Sequence, residues 1–590
     1  MSDTAHPAVL KSDLSVLTSR TRLPAELKNA SGMQKLDWIL GLPAPEDFVA
    51  ALAPDELYYW LRDIGKEDAY PLLEYANGEQ LRALVDIDAW TRHELSVPRW
   101  LDWLDLALAV DHDTAERFIL AQDDELLMAL VTGDIQVLPA DADVNMIPDE
   151  LAFFSSPDFL YVVTVPREHP LEERMPQLMK LLWSADTDRA REIFQQAQFE
   201  LHEANGEDLE RFRTARLQDL GFESVNDAIE VFSTVPIKVL RRELEEARTA
   251  EGVSLIGTQP GGTTADPQRE SSRMVSDLVL RGVEPPDLLR AAVSALDERD
   301  RVTFGNGFAY LTNKVFMAET GDLSRLDDLP EIARSAAALA NLGLSYLAIE
   351  SEERAAEVVR QVTPETLFKA GWTLVFDLSR KARRLALRAG QDKGFSLFGS
   401  PIDEVIQAAA FLRPRYAEAL DDPGRIGARP FATLEELSKV EAYIDEANLV
   451  LGAFERHFGL TLKALEEGDL PGLEHDARKN IRLTTLVRMG LLHTLLSDQF
   501  SFMPVDRDTL VAFSRAAFGK DTVLTPAFDK TVHALVESGL EGADELSREA
   551  FRGLVQRAVD ELVEALGPVK ERDLDLRYVG DIFLVAQPGG

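Results

Sequence analysis

Helix starts recur at short intervals over the first part of the chain, and this recurrence limits the fold more than any other feature. The strings beginning at Pro45 (PEDF), Pro54 (PDEL), Lys66 (KEDA), Gly78 (GEQL), Asp113 (DTAE) and Asp123 (DDEL) each set polar or acidic residues just before an apolar stretch. Proline is tolerated in the first turn of a helix because the N–H it lacks would have no partner there. Carboxylates in that turn face the positive end of the helix dipole. Several successive starts lie about a dozen residues apart, so the helices between them have two or three turns. Helices that short are marginal alone in water and must be stacked on one another. The expected fold is all-α, with a superhelical array of short stacked helices followed by a larger irregular helical bundle and at most a minor β element. Residues 1–30 read as an N-terminal extension, 31–250 as the short-helix array and 273–590 as the C-terminal helical domain. Between the last two, 251–272 lacks helical periodicity and is rich in Gly, Thr, Ser and Pro, the composition of a flexible linker or disordered loop.

The most clearly punctuated stretch is Leu209–Ala247. A first helix over Glu207–Leu220 carries Glu207, Asp208 and Glu210 in its first turn. Gly221 follows as a residue free to turn left-handed, and Phe222 can fold back on Leu217 in a Schellman stop. Ser224 and Asp227 form a variant capping box, and Pro236 opens a third helix. Arg211, Arg213 and Arg216 make the first helix locally basic. We expect them to form salt bridges to neighbouring acidic helices; an anion or partner site is the alternative. The string RFRTARLQDLGFESVNDAIEVF, with Arg213, Arg216, Leu217, Asp219, Leu220, Gly221, Phe222, Ala228 and Ile229, resembles an uncharacterised bacterial family of the domain-of-unknown-function 6178 type. The resemblance extends over most of the chain. It implies a bacterial helical protein and carries no known activity or catalytic residue. The array over Pro43–Leu130 is similar in architecture to the cytosolic N-terminal domain of MgtE-type magnesium transporters, whose membrane part has no counterpart here.

Elsewhere the pattern is helical with few interruptions. Tyr58, Tyr59, Trp60, Trp90, Trp100 and Trp103 read as core filling between short helices, with a peptide-binding surface as the alternative. Phe159–Val165 is the best candidate strand. Gly305–Gly307 reads as a turn between helices, and Trp372–Ala389 as a helix stopped by Gly390. The latter ends in Arg380, Lys381, Arg383, Arg384 and Arg388. These cations suit the negative end of the dipole and also make the chain's best candidate patch for an acidic partner. Val440, Ile444, Ala447, Leu451, Phe454 and Phe458 form a short heptad seam, expected to pack in a bundle with Ile481–Phe500 as its partner.

Composition narrows the chemistry. With 62 Lys and Arg against 102 Asp and Glu, the net charge of −40 repels phosphate backbones and anionic membrane surfaces, so no nucleic acid partner is expected, and basic proteins or cations are left as partners. The chain has no Cys, which excludes disulfides, zinc–thiolate sites, iron–sulfur clusters and a cysteine nucleophile. The start of the chain lacks a secretory signal and no apolar run approaches the ~20 residues of a membrane span, so the expected location is cytoplasmic, without membrane insertion. The calcium-loop pattern at Asp141, Asp143 and Asn145 fails at Met146 and Ala152, and the phosphate-loop mimic at Gly257–Gly262 lacks its Lys. One stripe survives as a metal or acid–base candidate. Asp529, His533 and Glu537 are spaced four apart on a helix over Pro526–Ser538, beside an apolar face that makes a solvated rim the simpler reading. No cofactor is implied. The expected function is a non-enzymatic scaffold or regulatory protein-interaction protein, and the alternative is a metal-responsive regulator or enzyme of unrecognised type using that stripe.

Overall fold

The computed structural model describes residues 30–91, 94–199, 202–249, 285–349, 351–422, 424–467, 481–519, 523–538, 540–567 and most of 569–585. The N-terminal extension, the 251–272 linker and the Gly257–Gly262 string lie outside the described residues. Most of the described residues are helical, about twice the share in an average globular domain. The described residues cluster into two compact units. The first takes the chain through Ser233, then Lys238–Ala340, then the segment ending at Lys369; the second takes Thr234–Ile237, Asn341–Ile349 and the chain from Ala370 onward.

In the first unit the short helices fall where the starts predict: Pro45–Ala51, Pro54–Ile64, Lys66–Ala69, Gly78–Asp88, His112–Ala121 and Asp124–Ala129. Local capping fixes several of them. Asn77 accepts from the Gln80 amide at 2.9 Å, and the Gln80 side chain returns to accept from the Asn77 amide at 2.8 Å. The same Gln80 side chain is fully buried and donates to the carbonyls of Val49 and Leu52 at 2.7 and 2.8 Å, so a cap also ties one helix to the end of another. Tyr58, Tyr59, Trp60, Trp90, Trp100 and Trp103 are all buried, as core filling requires. The β element is one antiparallel three-stranded sheet. Tyr161–Pro166 lies at its centre between Gln136–Pro139 and Leu151–Ser155, and Val163 sits opposite both Val137 and Phe154. Two-residue ladders at Trp90–Thr91 with Glu94–Leu95, and at Tyr416–Ala417 with Ala428–Arg429 in the second unit, add little.

The helix His202–Asp219 ends as its sequence dictates. Gly221 has φ +89°, and the Phe222 amide donates to the Leu217 carbonyl at 2.9 Å with both side chains buried. Ser224 then caps Val225–Ala228 by accepting from the Asp227 amide.

The expected turn at Gly305–Gly307 is absent: both glycines lie inside one helix, Glu298–Thr320. Gly307 is glycine for another reason, since a Cβ there would stand 3.2 Å from Pro364 Cδ, where a second helix crosses.

In the second unit the heptad seam forms as expected on Leu434–His457, with Val440, Ile444, Ala447, Leu451 and Phe454 buried. Its main partner differs from the expected one. The seam helix packs on Glu545–Leu566, where Phe551 meets Phe454 at 5.7 Å and Phe458 at 5.4 Å between ring centroids. Leu483–Ser497 packs on that same helix. It is apolar around most of its girth because it also meets Arg507–Ala517 and Pro526–Ser538. The segment 582–585 packs into this unit. Val585 pairs in parallel with Val505, Leu584 accepts from the Val505 amide at 2.9 Å, Ile582 accepts from Arg488 Nε at 2.9 Å, and Phe583 is fully buried. Among the described residues no single helix is long and apolar enough to cross a membrane.

Candidate functional site: a buried aspartate beneath an acidic cleft

The helix Gly78–Asp88 carries two carboxylates inside an apolar run, at Asp86 and Asp88, and both are buried. Residues two apart on a helix point in nearly opposite directions. One helix therefore delivers one charge to each side.

Asp88 points toward the Pro54–Ile64 and Val97–Val110 helices. Its Oδ1 accepts from the Tyr58 hydroxyl at 2.7 Å, and its Oδ2 accepts from Trp103 Nε1 at 3.0 Å and from the Lys66 ammonium. Lys66 Nζ also lies 4.5 Å from the centroid of the Trp103 ring, a cation–π distance. Arg99 closes the arrangement from behind by donating to the carbonyls of Asp88 and Trp90 and to Ser324 Oγ. Burial and the neighbouring Asp88 charge push the Tyr58 hydroxyl far above the usual phenol range, so it donates and does not ionise.

Asp86 faces the helix His202–Asp219. Arg216 meets it in bidentate fashion, Nε to Oδ2 at 2.6 Å and Nη2 to Oδ1 at 2.9 Å, and reaches Asp123 with Nη1 at 2.6 Å. Arg213 donates from Nε to the Asp86 carbonyl at 2.7 Å. Its guanidinium lies 4.7 Å from the Trp90 ring centroid, and burial pulls its pKa down to about 10. Arg216 forms the expected salt bridges to neighbouring helices, and Arg213 is buried, only 8% exposed, against Trp90. Arg211 is exposed and lies over Phe212.

Above the Asp88 cluster lies a cleft of 770 Å³. Lys66 and Tyr59 reach into it from the cluster side, and Leu106, Leu329 and Pro330 supply apolar wall. Five carboxylates, Asp63, Glu67, Asp102, Asp105 and Asp327, outnumber its two cations, Arg62 and Lys66. Both cations are engaged, Arg62 by Asp327 at 3.5 Å and Lys66 by Asp88. Asp63 pairs with Lys35 and Asp105 with Arg174. Glu67 and Asp102 stand exposed at the opening. Under Tyr59, one turn back on the same helix, Asp55 is fully buried with no hydrogen-bond partner at either carboxyl oxygen. Burial, with the adjacent Glu56 charge, raises its pKa to about 8, so it is a neutral acid at pH 7.

This arrangement orients charged and aromatic groups around one buried carboxylate. Three donors converge on Asp88, and the Lys66 nitrogen is held between a carboxylate and an indole face. What the cleft offers a ligand is an apolar wall with excess negative charge at the rim.

The other sites expected from sequence lie elsewhere. Asp529, His533 and Glu537 are all exposed on Pro526–Ser538, and Glu537 meets Arg552 at 3.5 Å. Among the described residues no group of three His, Asp or Glu is arranged to hold a metal ion. Asp143 accepts from the Asn145 amide in an exposed acidic loop. Arg380 and Arg384 are exposed, whereas Arg383 is half-buried and donates to the carbonyls of Ala410 and Phe411. Sequence reasoning passed over Asp86 and Asp88. The available signal was the string LVDIDAW, in which two carboxylates interrupt a stretch otherwise too apolar to be a solvated face.

A family model described as a family of unknown function, DUF6178, matches residues 12–585. No curated protein and no solved structure matches the chain.

Proposed function

The chain belongs to this family of unknown function, and from that premise we propose that it is a non-enzymatic, cytoplasmic scaffold or regulatory protein that takes a basic segment of a protein partner into the cleft of its first unit. The observation that carries this reading is the cleft's charge: five carboxylates against two cations that are already engaged. A partner's Lys or Arg side chains would meet Glu67 and Asp102 at the opening, while their aliphatic stems lie on Leu106, Leu329 and Pro330. The saturated pairs beneath keep the floor fixed, which lowers the ordering cost of binding. The net charge of −40 adds long-range steering of basic partners.

The test is affinity capture with the immobilised full chain at low and high salt. The reading requires a stoichiometric partner that wild type retains at low salt and releases at high salt, and that Glu67→Lys/Asp102→Lys fails to retain. Equal retention by the double variant would overturn it.

A further inference from the structure

We infer that the second unit carries a separate docking surface for an acidic amphipathic helix of a partner protein. It is built from one face of the helix Pro364–Arg388 and the loop that follows Ile402–Ala410.

The helix supplies the charge. Between residues 370 and 388 it holds five cations, Arg380, Lys381, Arg383, Arg384 and Arg388, against one carboxylate, Asp377. Two of these are committed to Leu434–His457: Lys381 to Glu441, and Arg388 to Glu455 at 2.6 Å. Arg383 is committed to the loop, where it donates to the carbonyls of Ala410 and Phe411 at 3.0 and 2.8 Å. Arg380 and Arg384 flank it in sequence and remain exposed.

The same junction exposes apolar area. Leu387 follows Arg383 by one turn and is 61% exposed. In the loop that Arg383 grips, Phe411 is 53% and Leu412 76% exposed. Arg413 then returns to place its guanidinium 5.7 Å from the ring centroid of Trp372, near the start of the same helix face. Arg383 and Arg413 thus hold the loop against the helix and bring three large exposed apolar side chains beside two exposed guanidiniums. A single exposed leucine needs no explanation, but this grouping does.

Charge complementarity defines the occupant. Arginine forks recognise carboxylates in planar, bidentate geometry. Apolar side chains at one-turn spacing match the i, i+3, i+4 face of a helix. An anionic membrane would present the same charge, but as an extended plane facing the whole body. A chain of net charge −40 is repelled by such a plane, whereas a bound peptide feels only charges within a Debye length of ~8–10 Å.

The test uses full-length protein and a fluorescein-labelled synthetic peptide with Leu at i, i+3, i+4 and i+7 and Glu elsewhere. Its controls are the same peptide with Lys in place of Glu, and vesicles of phosphatidylserine with phosphatidylcholine. Fluorescence anisotropy should show binding of the Glu peptide and none of the Lys peptide. Arg380→Glu/Arg384→Glu should weaken binding roughly tenfold or more, the sum of two lost surface pairs and two new repulsions. Leu387→Ser/Leu412→Ser should weaken it through the apolar side alone, and circular dichroism should be unchanged for both variants because all four side chains are exposed. The acidic cleft is distant in chemistry from this surface, so Glu67→Lys/Asp102→Lys should leave Glu-peptide binding intact. The proposal is overturned if the Glu peptide does not bind or binds both variants like wild type. Binding to vesicles in place of the peptide would also overturn it and assign the surface to lipid.

Discussion

Arg213 is sandwiched between the Trp90 ring, 4.7 Å from its guanidinium, and the backbone carbonyl of Asp86, which accepts from its Nε at 2.7 Å. Both contacts join the helix His202–Asp219 to the end of Gly78–Asp88. Arg213→Ala removes a buried cation–π contact and a charged hydrogen bond together, and should destabilise the protein by about 2–3 kcal/mol. Arg211→Ala, at an exposed position on the same helix, should stay within about 0.5 kcal/mol of wild type. Urea unfolding of the two variants checks this; equal midpoints would mean that the sandwich contributes nothing.

Gly221→Val should be destabilising for a different reason. The residue has φ +89°, where a Cβ meets the following carbonyl. The left-handed conformation raises a non-glycine residue by about 1–2 kcal/mol, and β-branching adds to that. The expected outcome is a lowered thermal midpoint with unchanged helical content in circular dichroism below the transition.

The two glycines of Glu298–Thr320 should respond in opposite ways. Around Gly305 a Cβ would meet nothing within 4 Å, so Gly305→Ala should stabilise by about 0.5–1 kcal/mol through helix propensity alone. At Gly307 a Cβ would press on Pro364 at 3.2 Å, which consumes that gain. Differential scanning calorimetry should rank Gly305→Ala above Gly307→Ala.

Asp55 gives a pH dependence of definite sign. Its folded pKa of about 8 lies above the ordinary aspartate value of 3.8, so between these limits the folded state binds a proton that the unfolded state has released. Stability from this group is full below about pH 4, falls as pH rises, and is lost once pH passes about 8. The slope is on the order of 1 kcal/mol per pH unit. Asp55→Asn keeps the shape and removes the titration. Its stability relative to wild type should therefore rise steadily from pH 5 to pH 8; a difference independent of pH would show that the carboxyl is solvated.

The exposed stripe Asp529, His533 and Glu537 should not act as a metal site. Divalent cations in a thermal-shift series should move wild type and His533→Ala equally. A saturable shift lost in the variant would restore the metal-responsive reading.

The helix starts at Pro45, Pro54, Gly78 and Asp123 were legible because capping is decided within three or four residues of chain. The Gly221 stop was legible for the same reason. Gly305 and Gly307 misled because a glycine pair signals a turn by local preference, while the cause of Gly307 is Pro364 on another helix. The burial of Arg213 was not legible for the same kind of reason. Whether an arginine is buried depends on what faces it, and Asp86 lies 127 residues away in sequence. The cleft combines Tyr59, Asp102 and Pro330, three segments that no periodicity connects.

The closing segment has a consequence for how the protein is made. Arg488 is 1% exposed, and one of its few partners is the carbonyl of Ile582, while Val505 pairs with Val585. During synthesis Arg488 and Val505 are made well before these partners, so the second unit cannot finish folding until the segment 582–585 has emerged. Until then it holds a buried-type arginine and an open strand edge, a form that chaperones and proteases recognise. A variant lacking 582–585 would make that transient form permanent, and it should be found degraded or aggregated.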